Sequence, residues 1–174
     1  MIAFLKTIKK STSDNPVPWN GERSMTDLRR IVWDYYYNPF TKGSNSLKHL
    51  LTACLNTSQY LNAKYCNPIS EINLTSTNFD DSQVWLEMEG DTVKNPYKIL
   101  PKLFLGWNDE QIDQNLSEIE KIADGGSALM AYAKLQYQDM TDLERSEIKS
   151  SLLKYCELDT LAMVMIFEHF RFDL

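Results

Sequence analysis

The stretch from Thr141 to about Phe170 constrains this chain more than any other. Thr141-x-x-Glu144 has the spacing of a capping box, in which a threonine hydroxyl and a glutamate carboxylate satisfy each other's backbone amides at a helix start. The residues beyond the box read as a single long helix. At ~100° per residue, Ile148, Leu152, Cys156, Met163, Ile166 and Phe170 fall on one broad apolar face, and Glu157 and Glu168 point to solvent on the other side. Asp159 lies near the middle of the apolar face, with Tyr155 one turn before it. A carboxylate there needs a cation, a set of donors or a metal ion. Two readings stand side by side. Asp159 either accepts hydrogen bonds from a neighbouring helix start or pairs with an arginine, or it is a ligand for Mg²⁺ or Mn²⁺, which favour carboxylate oxygen. The second reading needs at least two more acids from elsewhere.

The rest of the chain reads as further helices joined by polar turns. Residues 1–10 look like a helix end, with Ile2, Leu5 and Ile8 at helical spacing, and STSDNPVP (11–18) is a loop. A short strand is expected near Arg23–Leu28. DLRRIVWDYYY then reads as a helix stopped by Asn38-Pro39. Gly43–Ser46 caps a helix that begins near Leu47 and carries Leu50, Leu51, Cys54 and Leu55 on one side. Another helical segment around Ser58–Tyr65 ends before Pro68. Residues 67–107 form an irregular, insertion-like segment in which only Val84–Met88 has strand character. Asn108-Asp109-Glu110 opens a helix that runs to about Ala123 and stops at Gly125-Gly126; residues 127–137 form the next one. The expected class is mainly α, with five or six helices and two or three short strands in a single domain spanning 1–174.

A chain of 174 residues is long enough to bury a core without disulfide or metal staples. Eighteen Lys and Arg against 24 Asp and Glu give a net charge of −6, which excludes a global basic field for nucleic acid. An enzyme that holds nucleic acid through metal ions is compatible with that charge. No apolar run approaches the ~20 residues of a membrane span, and the opening MIAFLKTIKK has its lysines after the apolar stretch, the reverse of a secretory signal. Cys54, Cys66 and Cys156 lack CxxC spacing and fit buried thiols in a reducing cytoplasm.

Tyr155-Cys-Glu-Leu-Asp159 has the Tyr-x-x-x-Asp spacing of the third motif of DEDD-type 3′→5′ exonucleases. With GSNSLK (43–48), NPYKILPKLF (95–104), DGGSALMAYAKLQ (124–136) and LLKYCELDTLAMVMIFE (152–168), the chain resembles an uncharacterised bacterial family, a domain of unknown function similar to the RNase H-like DEDD superfamily. The resemblance runs from about Trp19 to Phe170. It implies that Asp159 is the last metal-binding aspartate, that Tyr155 orients or helps deprotonate the attacking water, and that Mg²⁺ or Mn²⁺ serves an intact parent site acting on nucleic acid 3′ ends. Asp27, by the same comparison, follows the second motif and caps the next helix. The superfamily's first motif, Asp-x-Glu on a strand, has no counterpart. Asp142-Leu143-Glu144 sits in a helix cap, and Glu87-Met88-Glu89 comes in the wrong order. The chain therefore reads as the C-terminal part of an RNase H-like fold without its first strands, inactive alone, its site completed by an upstream segment or a partner chain.

Arg29, Arg30 and Lys48, with Lys42, form a modest basic patch for a phosphate backbone. Trp33 to Tyr37 offer either a base-stacking platform or core packing. His49 and His169 read as surface or helix-end residues. The alternative function is a helical protein-interaction module without catalysis, which has no need of a carboxylate at position 159.

Overall fold

The computed structural model describes residues 2–12, 14–100 and 125–174. They divide into two compact units, residues 1–37 and 38–174. The expected mainly helical class holds: six α-helices and one small antiparallel sheet are found among the described residues.

The first unit contains α1 (Ile2–Ile8) and α2 (Leu28–Tyr35). Between them the chain folds back on itself. Lys10 bridges Asn20, the Ser11 amide reaches the Trp19 carbonyl at 2.9 Å, and the Arg23 amide reaches the Thr7 carbonyl at 2.8 Å. Gly21 lies so close to the Thr7 backbone that a Cβ would overlap its carbonyl oxygen, so no side chain fits there. The strand expected at Arg23–Leu28 does not form. Asp27 is instead the N-cap of α2, its carboxylate accepting from the Arg29 and Arg30 amides at 3.0 and 3.4 Å. Val32 is the buried residue of α2, whereas Trp33, Tyr35 and Tyr37 are exposed, which corrects their core-packing reading.

The second unit is built on α3 (Leu47–Thr57), α4 (Gln59–Tyr65), α5 (Gly125–Tyr137) and α6 (Asp142–Phe172). Ser46 caps α3, and its apolar face is buried through Leu50, Leu51, Cys54 and Leu55. Ser58 ends α3 and starts α4, its hydroxyl accepting the Leu61 amide at 2.9 Å. Gly125 and Gly126 are the first described residues of α5. The helix expected at Asn108–Ala123 lies outside the described residues.

Residues 67–100 are irregular yet supply core. Three-residue 3₁₀ turns at Ile69–Glu71 and Pro96–Lys98 flank a hairpin pairing β1 (Met88–Glu89) with β2 (Thr92–Val93), Met88 opposite Val93. The strand expected over Val84–Met88 begins only at Met88. Ile69, Trp85, Val93 and Tyr97 are all buried.

The capping box of α6 forms as read: the Thr141 hydroxyl accepts the Glu144 amide, and the Glu144 carboxylate takes the Thr141 amide at 2.6 Å. The buried face differs from the expected one. Ile148, Tyr155, Leu158, Ala162, Met165, Ile166 and His169 are buried, whereas Cys156 is exposed and Met163 is about half-exposed. Apolar residues surround this helix, which packs on α3, α4 and α5, so periodicity alone does not fix which stripe is covered. Of the thiols only Cys54 is buried; Cys66 joins Cys156 at the surface.

Candidate functional site

Four side chains from distant parts of the second unit meet beside the middle of α6. Asn95 caps the 3₁₀ turn Pro96–Lys98, its side chain accepting the Tyr97 amide at 3.0 Å, and proline at the first turn position presets the backbone. This fixes Tyr97, which is 3% exposed. Its phenol donates to Asp159 Oδ1 at 2.5 Å. Tyr155, also buried, lies with its ring 5.8 Å from that of Tyr97, tilted by 57°. Lys48, in the first turn of α3, holds its Nζ 5.0 Å from the centre of the Tyr97 ring and 5.4 Å from that of Tyr155.

Burial pushes the Tyr97 phenol well above its ordinary value, and the bond to Asp159 adds to the shift. Tyr97 is therefore a standing donor and not a base near neutral pH. Asp159 is half-buried and, among the described residues, takes this one hydrogen bond, from a neutral group. The arginine or helix-start partner considered for it does not occur there.

The structure thus brings together Lys48, Tyr155 and Asp159 of the sequence-derived site. Arg29 and Arg30 belong to the first unit, where both are exposed and Arg30 Nε lies 3.5 Å from Asp34 Oδ2. Tyr97 is the member that sequence reasoning missed. Its signal is local, an Asn-Pro cap before an aromatic residue, and nothing in the sequence ties it to an aspartate 62 positions away.

Asp159 is the sole carboxylate of this cluster, and among the described residues no three His, Cys, Asp or Glu side chains are grouped to hold a metal ion. Those residues alone do not fit a two-ion centre, which needs several shared carboxylates.

The other acids of α6 also depart from expectation. Glu168 is not turned to solvent: Lys64 Nζ approaches Oε1 at 2.6 Å and the Tyr65 hydroxyl donates to Oε2 at 2.9 Å. Burial and this bond push the Tyr65 phenol upward too. Glu157 accepts from the Ser76 hydroxyl and the Asn78 amide, each at 2.5 Å. His169 lies in the last turn of α6, as one of its two sequence readings had it, and is buried there, its Nδ1 3.2 Å from Asp173 Oδ2. Asp173 accepts from the Ser58 hydroxyl and the Tyr60 amide. Burial raises the Asp173 carboxyl, but the bonds from Ser58, His169 and Tyr60 outweigh it and hold it below its ordinary value. Serine, histidine and aspartate meet here without forming a hydrolytic triad, because the serine proton goes to the aspartate and not to the imidazole.

No helix among the described residues is long and apolar enough to cross a membrane. Comparison with protein families, characterised proteins and solved structures gives no match.

Proposed function

We propose that this chain carries the C-terminal, helical part of an RNase H-like, DEDD-type nuclease site, contributing Asp159 and Tyr155, and that it performs no hydrolysis alone. The observation that carries this reading is the meeting of Lys48, Tyr97, Tyr155 and Asp159. They come from GSNSLK, NPYKILPKLF and LLKYCELDTLAMVMIFE, three of the strings on which the resemblance rests. Residues that merely fill a core need no lysine over two phenols and no carboxylate beside them. In this reading Tyr97 orients Asp159 through Oδ1, and Lys48 keeps a positive charge within reach of an anionic backbone. The further acids come from outside the described residues, from an upstream segment or a partner chain.

The test is Mg²⁺- or Mn²⁺-dependent degradation of a 3′-labelled single-stranded oligonucleotide by the product of the whole reading frame, any coding sequence before Met1 included. The proposal requires hydrolysis that is lost in Asp159→Asn and reduced in Tyr97→Phe. If hydrolysis is absent, or survives Asp159→Asn, the reading fails. One observation favours a non-catalytic interaction module instead: Met163, Val164 and Phe167 lie exposed on one side of α6. That module tolerates Asp159→Asn with its partner binding unchanged.

A further inference from the structure

α6 presents two apolar stripes, and the described residues cover one of them. The covered stripe runs through Tyr155, Leu158, Ala162, Met165, Ile166 and His169. On the opposite side Leu153, Cys156, Thr160, Met163, Phe167 and Phe170 recur at alternating steps of three and four residues, with threonine the one polar member. Leu153, Met163 and Phe167 are 46, 48 and 50% exposed, Cys156 and Thr160 are exposed as well, and Phe170 is half-buried. A surface helix with one packed face ordinarily turns charge to water on the other. A row of large apolar side chains there marks a surface made to be covered.

The spacing says what kind of cover fits. A strict three-four repeat keeps one seam facing a second helix of the same repeat, each side chain set between those of its neighbour. A second copy of this chain carries that repeat, and a two-fold axis joins such a face to itself. Charge selects the direction. Glu157 and Arg171 hold equivalent places in the repeat, on the same flank of the seam. Arg171 is exposed, its guanidinium 5.3 Å from the centre of its own neighbour's ring, Phe172. Glu157 accepts from Ser76 and Asn78, both neutral, and a carboxylate with one donor on each oxygen accepts more. In an antiparallel pair this flank meets itself, so the register that stacks Met163 on Phe167 of the second copy also sets Glu157 opposite Arg171, once at each end. Val164, midway between them and 41% exposed, then meets its own copy at the axis. In a parallel pair Glu157 would face Leu152 and Arg171 would face Ile166, and both charges would lose water for no partner. Asp159 and Asp173, on the seam's other flank, are engaged by Tyr97 and by Ser58, Tyr60 and His169 of their own copy.

We propose that this stripe is an interface between two copies of the chain, antiparallel about an axis beside Val164, with Met163 and Phe167 at its centre and Glu157–Arg171 ion pairs at its ends. From Leu153 to Phe170 the stripe is about 26 Å long at 1.5 Å per residue, short for a permanent dimer, so association belongs in the micromolar range. The inference rests on neither functional reading, since none of the stripe's residues belongs to the Lys48–Asp159 cluster.

The experiment is sedimentation equilibrium of the full chain across micromolar concentrations. The expected result is a reversible monomer–dimer equilibrium, weakened at least about tenfold by Phe167→Lys and about tenfold by Arg171→Glu. Should Phe167→Lys not fold, Met163→Lys carries the comparison. Direction is read by cross-linking with a short bismaleimide in a Cys66→Ser background. The antiparallel pair holds its two Cys156 thiols about 27 Å apart along the helix, so they stay unlinked, whereas Val164→Cys combined with Cys156→Ser links into a dimer. A chain that stays monomeric throughout overturns the proposal, and so does a dimer that the lysine variants leave unchanged. Cross-linking through Cys156 instead of through Val164→Cys overturns it too.

Discussion

The C-terminal end of α6, its last two turns and the Asp173 cap, and the middle of the helix treat their carboxylates in opposite ways. Near the end, Glu168 is clasped by Lys64 and Tyr65, and Asp173 by Ser58, the Tyr60 amide and His169. Every acid there is matched by a cation or by several donors, which is how a half-buried charge is made tolerable. In the middle, Asp159 has one phenol, and Glu157 a hydroxyl and an amide, all neutral. The end is built to dock α6 on α4. The middle hydrogen-bonds its carboxylates through neutral donors alone, with Lys48 held over the rings of Tyr97 and Tyr155.

The strongest way to break this contrast is Lys64→Met. It leaves Glu168 half-buried with only a neutral donor, and about 2 kcal/mol of stability should be lost, read from the urea midpoint. A comparable loss should attend Ser58→Ala, which removes the α4 cap and the Asp173 donor together.

Alkaline titration compares the two regions directly. Tyr65 belongs to the end and Tyr97 to the middle, and both phenols are raised above the ordinary value of 10.0. Above pH 10 the unfolded chain releases these protons while the folded chain keeps them, so stability is present below that pH and falls as pH rises. The slope is about 1.4 kcal/mol per pH unit for each tyrosine. Tyr65→Phe and Tyr97→Phe should each remove one such share, measured by denaturant unfolding between pH 10 and 11. Equal slopes in wild type and both variants would refute the assignment.

Acid separates the regions more gently. Asp173 sits below its ordinary value of 3.8, so its contribution is present above that pH and is lost as pH falls through the lower, folded value. Asp173→Asn should flatten the acid limb of a thermal melt series.

The smallest expected effect sharpens the contrast most. Asp159→Asn keeps an oxygen for the Tyr97 proton and removes a charge whose one hydrogen bond among the described residues comes from a neutral phenol, so stability should change by less than about 0.5 kcal/mol. A large destabilisation would place Asp159 with the structural acids of the helix end.

Legibility in the sequence depends on the range of the interaction. Caps at Asp27, Ser46 and Thr141 were readable because each acts within three residues. The buried stripe of α6 was not, since apolar residues lie all round it and its neighbours decide which are covered. The same limit turned Glu157 and Glu168 to solvent in the sequence reading, although each meets its partners through packing. Tyr155, Asp159 and Lys48 were reached through the resemblance and local pattern. Tyr97 and Trp85 were missed because their partners are tertiary and leave no period in a segment with almost no regular structure.

The 31 residues of α6 form one uninterrupted rod, about 46 Å long at 1.5 Å per residue. Glu157 stands at its midpoint and Asp159 two residues beyond. Mechanically it is a beam loaded at midspan: without proline or glycine it has no ready place to kink. Spin labels at Leu143 and Arg171 should therefore keep a fixed separation whatever occupies the middle, so displacement there would appear as rotation of the beam against α3 and α4.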